Sequence, residues 1–170
     1  MPKQARRDLR SLLHVPQATL QVELEARLAR LGFPSLRPAH TQLLAMIATT
    51  SAGADARDGR DGRDGMRLPE LVAALGLPKQ TVGDLVDDLE NERLVERVPD
   101  PDHGVIKRVQ LGSKGRQWAA EVKKVTQSAE LRWASRLGRS KMRSLRALLE
   151  ELAATVEAPP GSSQRSSRRR

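Results

Sequence analysis

The sequence predicts a mainly α-helical protein, with six helices and a two- to three-stranded ribbon. The arrangement is a winged helix-turn-helix with flanking dimerisation helices, and three observations predict it. Two short helical stretches, Arg67 to Gly76 and Leu77 to Arg93, follow one another with almost nothing between them. Two strand-like stretches, Leu94 to Val98 and Val105 to Leu111, come next across the turn Pro99-Asp-Pro-Asp-His-Gly104. Apolar residues at helical spacing recur on both sides of this block. Pro69 and Pro78 stand where a first helical residue belongs, because proline has no N–H to lose there. Gly76 can take the left-handed conformation that ends the first short helix. Two short helices joined by a tight turn are a helix-turn-helix, and the ribbon after the second makes it a winged one.

The flanks follow in chain order. Residues 1–15 read as a basic arm, whose apolar Leu9, Leu12, Leu13 cluster can form a short docking helix. From Pro16, Leu20, Leu24, Leu28 and Leu31 recur at steps of four and three, one face of a helix that Gly32 ends. A second helix is predicted from Pro38 to about Thr49 with Leu43, Leu44, Met46 and Ile47 on its apolar side. Residues 51–65 hold three copies of Arg-Asp-Gly and read as a mobile insertion, since nothing there can pack and glycine raises chain entropy. After the ribbon, Ser113 starts a helix carrying Trp118, Val122, Val125, Ala129 and Trp133, which Gly138 stops. Ser140 caps a last helix with Met142, Leu145, Leu148, Leu149, Leu152 and Val156 along one side. Residues 158–170 read as a disordered basic tail.

Composition narrows the function. The absence of cysteine among 170 residues excludes disulfides, thiol catalysis and cysteine-based zinc fingers. His14, His40 and His103 lie in different elements without ligand spacing, and Asp58, Asp61 and Asp64 lack the pattern of a calcium loop. No nucleophile elbow or phosphate-cradling glycine loop is present, so neither an enzyme nor a cofactor or metal is expected. With no apolar run of membrane length, the expectation is a cytoplasmic, nucleoid-associated protein. The net charge of +9 sits mostly in the two ends, which read equally as arms that favour polyanions without sequence preference or as solvated tails that aid solubility.

The second helix of the pair, residues 78–92, is the candidate DNA reader. Its periodicity buries Val82, Leu85, Val86 and Leu89, leaving Lys79, Gln80, Gly83, Asp84 and Asp87 outward. Lys79 can donate to guanine and Gln80 can pair with adenine; Gly83 permits close backbone approach and Asp84 can accept from cytosine. Phosphate contacts are assigned to Thr81 at the helix start and to Arg67, Arg93, Arg97, Lys107, Arg108 and Lys114, with His103 at the wing tip. Asp84, Asp87 and Asp88 make the helix electrostatically poor for DNA. Leu20, Leu24, Leu28, Trp133, Met142, Leu145, Leu149 and Leu152 are the dimerisation candidates, because one small chain has little core to receive its first and last helices.

The order of elements resembles the MarR family of bacterial transcription regulators. The residues that carry the likeness are Pro38-Ala-His-Thr-Gln-Leu-Leu-Ala-Met-Ile47, Leu71-Val-Ala-Ala-Leu-Gly-Leu77, Thr81 to Arg97, and Val109-Gln-Leu-Gly-Ser-Lys-Gly115. The resemblance spans roughly Leu20 to Val156. It implies a dimeric DNA-binding regulator, often a repressor released by a small ligand held between the dimerisation helices and the DNA-binding lobe. The wing tip departs from the family pattern: Asp102-His103-Gly104 replaces the usual arginine-bearing tip, and Gly112 replaces a threonine. Pro78-Lys79-Gln80 likewise replaces the usual Ser or Asn at the reading helix.

The resulting expectation is a domain over 16–157, with a DNA-binding lobe at about 38–115 and dimerisation helices at about 16–32 and 113–157. Its function is expected to be a homodimeric repressor reading a pseudo-palindromic site on double-stranded DNA. Two alternatives stand beside it: a degenerate winged-helix module that docks a protein partner on its acidic helix, and sequence-indifferent DNA binding through the basic tails. The operator and any effector ligand are not written in the sequence.

Overall fold

The computed structural model describes residues 7–54 and 65–157. Six helices and a three-stranded sheet follow in order: α1 (Leu9–Arg30), α2 (Pro38–Ala54), β1 (Met66–Arg67), α3 (Leu68–Leu75), α4 (Lys79–Asn91), β2 (Val95–Pro99), β3 (Lys107–Leu111), α5 (Ser113–Leu137) and α6 (Arg139–Glu157). The mainly helical winged helix-turn-helix is therefore the fold. The chain forms two compact units, one ending at Thr126 and the other beginning at Gln127.

In the first unit the core is Leu43, Leu44 and Ile47 of α2, Leu71 of α3, and Val82, Leu85, Val86 and Leu89 of α4, closed by Leu94, Val95, Val109, Leu111 and Trp118. The four buried positions of α4 are those its apolar spacing predicts. The sheet has the order β1-β3-β2, antiparallel throughout, with Met66 opposite Val109 and Val95 opposite Leu111.

Backbone geometry explains the joints. Pro69 lies in the first turn of α3, and Gly76 closes that helix at φ 64°. Pro78 is the N-cap of α4 and not its first helical residue, because its ψ of 145° is extended. α4 ends in a Schellman motif: the Arg93 N–H donates to the Glu90 carbonyl and the Leu94 N–H to the Leu89 carbonyl. Arg93 occupies the left-handed position there, at φ 59°, where glycine is usual.

Several boundaries differ from the expectation: Arg67 lies in β1 and not in the helix that follows, and β3 begins at Lys107 and not at Val105. α1 runs unbroken from Leu9 through Pro16, so the helix starts inside the stretch read as a basic arm. The reason is Asp8, which accepts the Ser11 N–H at 2.7 Å and caps the helix eight residues before the proline. α2 continues past Thr49 to Ala54, and Gly65 is buried against β3, so both ends of the 51–65 stretch belong to the fold. The Arg-Asp-Gly repeats between them, residues 1–6 and the tail 158–170 lie outside the described residues.

In the second unit α5 passes into α6 at Gly138, with φ 90°. Arg146 of α6 pairs with Glu130 of α5. Leu145, Leu148, Leu149 and Leu152 of α6 are exposed in the single chain.

Candidate nucleic-acid interface

The candidate surface consists of the outward face of α4 and the wing β2–β3. Lys79, Gln80, Thr81 and Asp84 are exposed and Gly83 is half-buried, so all base-reading candidates reach solvent on one helix. A Cβ at Gly83 would meet nothing within 4 Å, which marks an open face there.

The structure changes the charge of this face. Asp87 is paired with Arg97 of β2, which also holds Glu90. Asp88 is paired with Arg37 at 2.7 Å and touches Nε2 of the buried His40 at 3.2 Å. Two of the three aspartates that weaken the helix electrostatically are thus matched by cations from other elements. Among the described residues, Asp84 has no ion-pair partner.

The same pairing occupies several phosphate candidates. Arg97 is committed to Asp87 and Glu90, and Lys114 lies 3.4 Å from Glu92. Arg67 donates to Asp100 at 2.7 Å. Arg108 is buried, donating to Asp100 at 3.2 Å and to the Gly65 carbonyl at 2.8 Å. Arg93, Lys107, His103 and Thr81 are exposed.

Asp100, which the sequence reading missed, organises the wing tip. Its carboxylate is wholly buried, takes Arg67 and Arg108 on one oxygen, and on the other accepts the N–H groups of Asp102 and His103. The hydrogen bond from Arg67 is the largest influence, and it holds the Asp100 carboxyl well below the usual carboxylate range against the cost of burial. The tip also closes on its backbone, with the Asp100 N–H donating to Ile106 and the Ile106 N–H to His103. The Pro-Asp-Pro-Asp sequence signals a turn, but the two arginine partners are set by the sheet, since β1 and β3 must pair before Arg67 and Arg108 converge. Arg37 and His40 were missed for the same reason: they reach Asp88 only through tertiary packing.

The dimerisation candidates divide. Leu28 packs against the core of the first unit and Leu24 is buried, whereas Leu20, Trp133 and Met142 are half-buried and Leu145, Leu149 and Leu152 exposed. A cavity of about 180 Å³ in the first unit is lined by Leu24, Leu28, Phe33, Leu36, Thr41 and Trp118, among others. It gathers the only phenylalanine and one of the two tryptophans, and the Trp118 Nε1 beside it is buried without a hydrogen-bond partner. Its volume lies below the ~300 Å³ at which pockets for drug-sized ligands begin.

Among the described residues, no group of acids and histidines could hold a metal ion, and no helix is long and apolar enough to cross a membrane.

Comparison with known proteins fits this geometry. Residues 58–104, spanning the helix-turn-helix into the wing tip, match the model of the MarR family. No curated protein matches the chain. Among solved structures, the transcriptional regulator Tm0710 of Thermotoga maritima is similar at 24% identity and a TM-score of 0.57, covering 87% of this chain and 93% of that one. Apo MarR of E. coli is similar at 19% identity and a TM-score of 0.56, over 87% and 98% of the two chains. A variant of S. aureus MepR bound to an oligodeoxyribonucleotide matches at 16% identity and a TM-score of 0.55, over 89% and 100%. The family model is met across the helix-turn-helix and the fold of these solved structures is shared beyond it, so the chain is similar to MarR-family regulators and has their winged helix-turn-helix fold.

Proposed function

We propose that the protein is a DNA-binding transcription regulator that acts as a homodimeric repressor. α4 reads base edges through Lys79, Gln80, Gly83 and Asp84, and Thr81, Arg93 and Lys107 hold phosphates. The observation that carries this reading is the matching of Asp87 and Asp88 by Arg97 and Arg37, which leaves Lys79, Gln80 and Thr81 exposed at the helix start. The MepR variant was solved with an oligodeoxyribonucleotide on the same fold, which supports duplex DNA as the ligand. The exposed Leu145, Leu149 and Leu152 stripe of α6 supports a second copy of the chain as the partner that covers it. Arg67, Arg97, Arg108 and Lys114 serve this surface by shaping the wing and neutralising acids.

The test is fluorescence anisotropy with a duplex from upstream of the protein's own gene and a scrambled duplex. Preference for the former is expected, and Lys79→Ala with Gln80→Ala should reduce that preference about 10- to 100-fold. Equal binding of both duplexes by the unaltered protein would overturn the reading. Capture of a basic protein by α4 without DNA binding would favour the docking alternative.

Gly83→Ala separates stability from reading. Nothing lies within 4 Å of the added methyl, so helix propensity should raise stability by about 0.5–1 kcal/mol in thermal melts. The same methyl stands on the reading face, so operator affinity should fall while the melting temperature rises.

A further inference from the structure

The winged lobe is poor in the charge that DNA binding needs. Residues 65–112 hold six Lys and Arg against nine Asp and Glu, so the lobe is net acidic while the whole chain is +9. Within the second unit the opposite holds. Residues 132–143, across the α5–α6 joint, contain Arg132, Arg136, Arg139, Lys141 and Arg143 and no acid. All five are exposed. Arg132 donates to Ser128, and among the described residues Arg136, Arg139, Lys141 and Arg143 have no ion-pair partner.

Helix stability does not explain the cluster. Arg136 complements the negative end of α5, but Arg139, Lys141 and Arg143 crowd the opening of α6, whose first turn has no acid. Cations at that end are disfavoured by the helix dipole and by each other. A cluster of exposed cations that gains nothing from its own helix start fits a partner that brings negative charge.

We propose that this α5–α6 corner is a second, sequence-indifferent contact for the nucleic-acid backbone, separate from α4 and the wing. Four of its five cations are arginines, whose planar guanidinium forks match phosphate oxygens in pairs. Arg132 and Arg136, and Arg139 and Arg143, stand at i,i+4 spacing, about 6 Å along each helix, giving two rows of donors for an extended polyanion. An anionic membrane fits less well. On α6 the arginine stripe Arg139, Arg143, Arg146 continues into Glu150, while Leu145, Leu149 and Leu152 lie on another side with only Lys141 beside them, so the arginines and the apolar face do not meet one surface together. The DNA-binding reading is used here only to identify the polyanion.

The test compares the full-length protein with Arg136→Gln/Arg139→Gln/Arg143→Gln on the scrambled duplex, by anisotropy at salt concentrations from about 50 to 200 mM. The slope of log affinity against log salt should shrink by up to about 2.7, and affinity at the lower salt should fall about tenfold or more. The three single variants should each remove about 0.9 of slope, so the series decides the matter even if the triple variant fails to fold. The lysine versions of the same substitutions should retain the slope. An unchanged slope overturns the proposal, and so does an unchanged slope with lost binding to phosphatidylserine vesicles, which would assign the corner to lipid. If the unaltered protein shows no operator preference, the regulator reading fails, while the slope comparison still decides the corner.

Discussion

Replacing Gly115 by alanine is expected to lower the melting temperature by about 10 °C or more, a loss on the order of 3 kcal/mol. Gly115 lies in the first turn of α5, and a Cβ there would stand 1.9 Å from the Leu94 carbonyl oxygen and 2.9 Å from its carbon. These are backbone atoms, so no side chain can swing away. The Leu94 carbonyl is itself fixed, because it accepts the Gly112 N–H at 3.0 Å. Gly112 is under the same constraint, since its Cβ would meet the Arg93 carbonyl oxygen at 2.7 Å. The two glycines therefore let the start of α5 close against the junction of α4 and β2. Thermal melts monitored by circular dichroism check this, with Gly83→Ala as the control that should move the other way. A melt of Gly115→Ala equal to that of the unaltered protein would show that α5 does not pack there as closely as the geometry requires.

Asp100→Asn is expected to lower the melting temperature by about 8–10 °C at neutral pH. The substitution removes the charge that Arg67 and Arg108 share, while the side chain keeps its size. The pH dependence has a fixed sign. The folded-state carboxyl titrates below its ordinary value of 3.8, so its contribution is fully present above that value and is lost as pH falls through the folded-state value. The unaltered protein should therefore lose its advantage over the asparagine variant only in strong acid. Hydrogen exchange should rise at the Asp102 and His103 amides, which lose a charged acceptor. Unchanged exchange at those amides would mean that the tip is held by its backbone bonds alone.

Particular elements mark how far the sequence could be read. Val82, Leu85, Val86 and Leu89 were legible because apolar spacing on one helix is a local property. Gly76 was legible because a left-handed helix end has a residue preference of its own. The start of α1 was misplaced because Pro16 is the louder signal, whereas Asp8 is the actual cap. The face of α4 read as too acidic because Arg37 and Arg97 lie outside that helix, in chain segments that folding brings to Asp88 and Asp87.

β1 at Met66–Arg67 was not legible in the sequence, which by itself determined the order of the helices and of β2 and β3, and the residues that α4 turns outward. Those follow from dihedral preferences and periodicity, which act over a few neighbouring residues. Only the tertiary structure decided which charges remain available. Asp100 gathers Arg67 from 33 residues away, and Arg37 reaches Asp88 across 51. Ion pairs depend on distance in space, and β1, β3 and α2 must be packed before those distances exist.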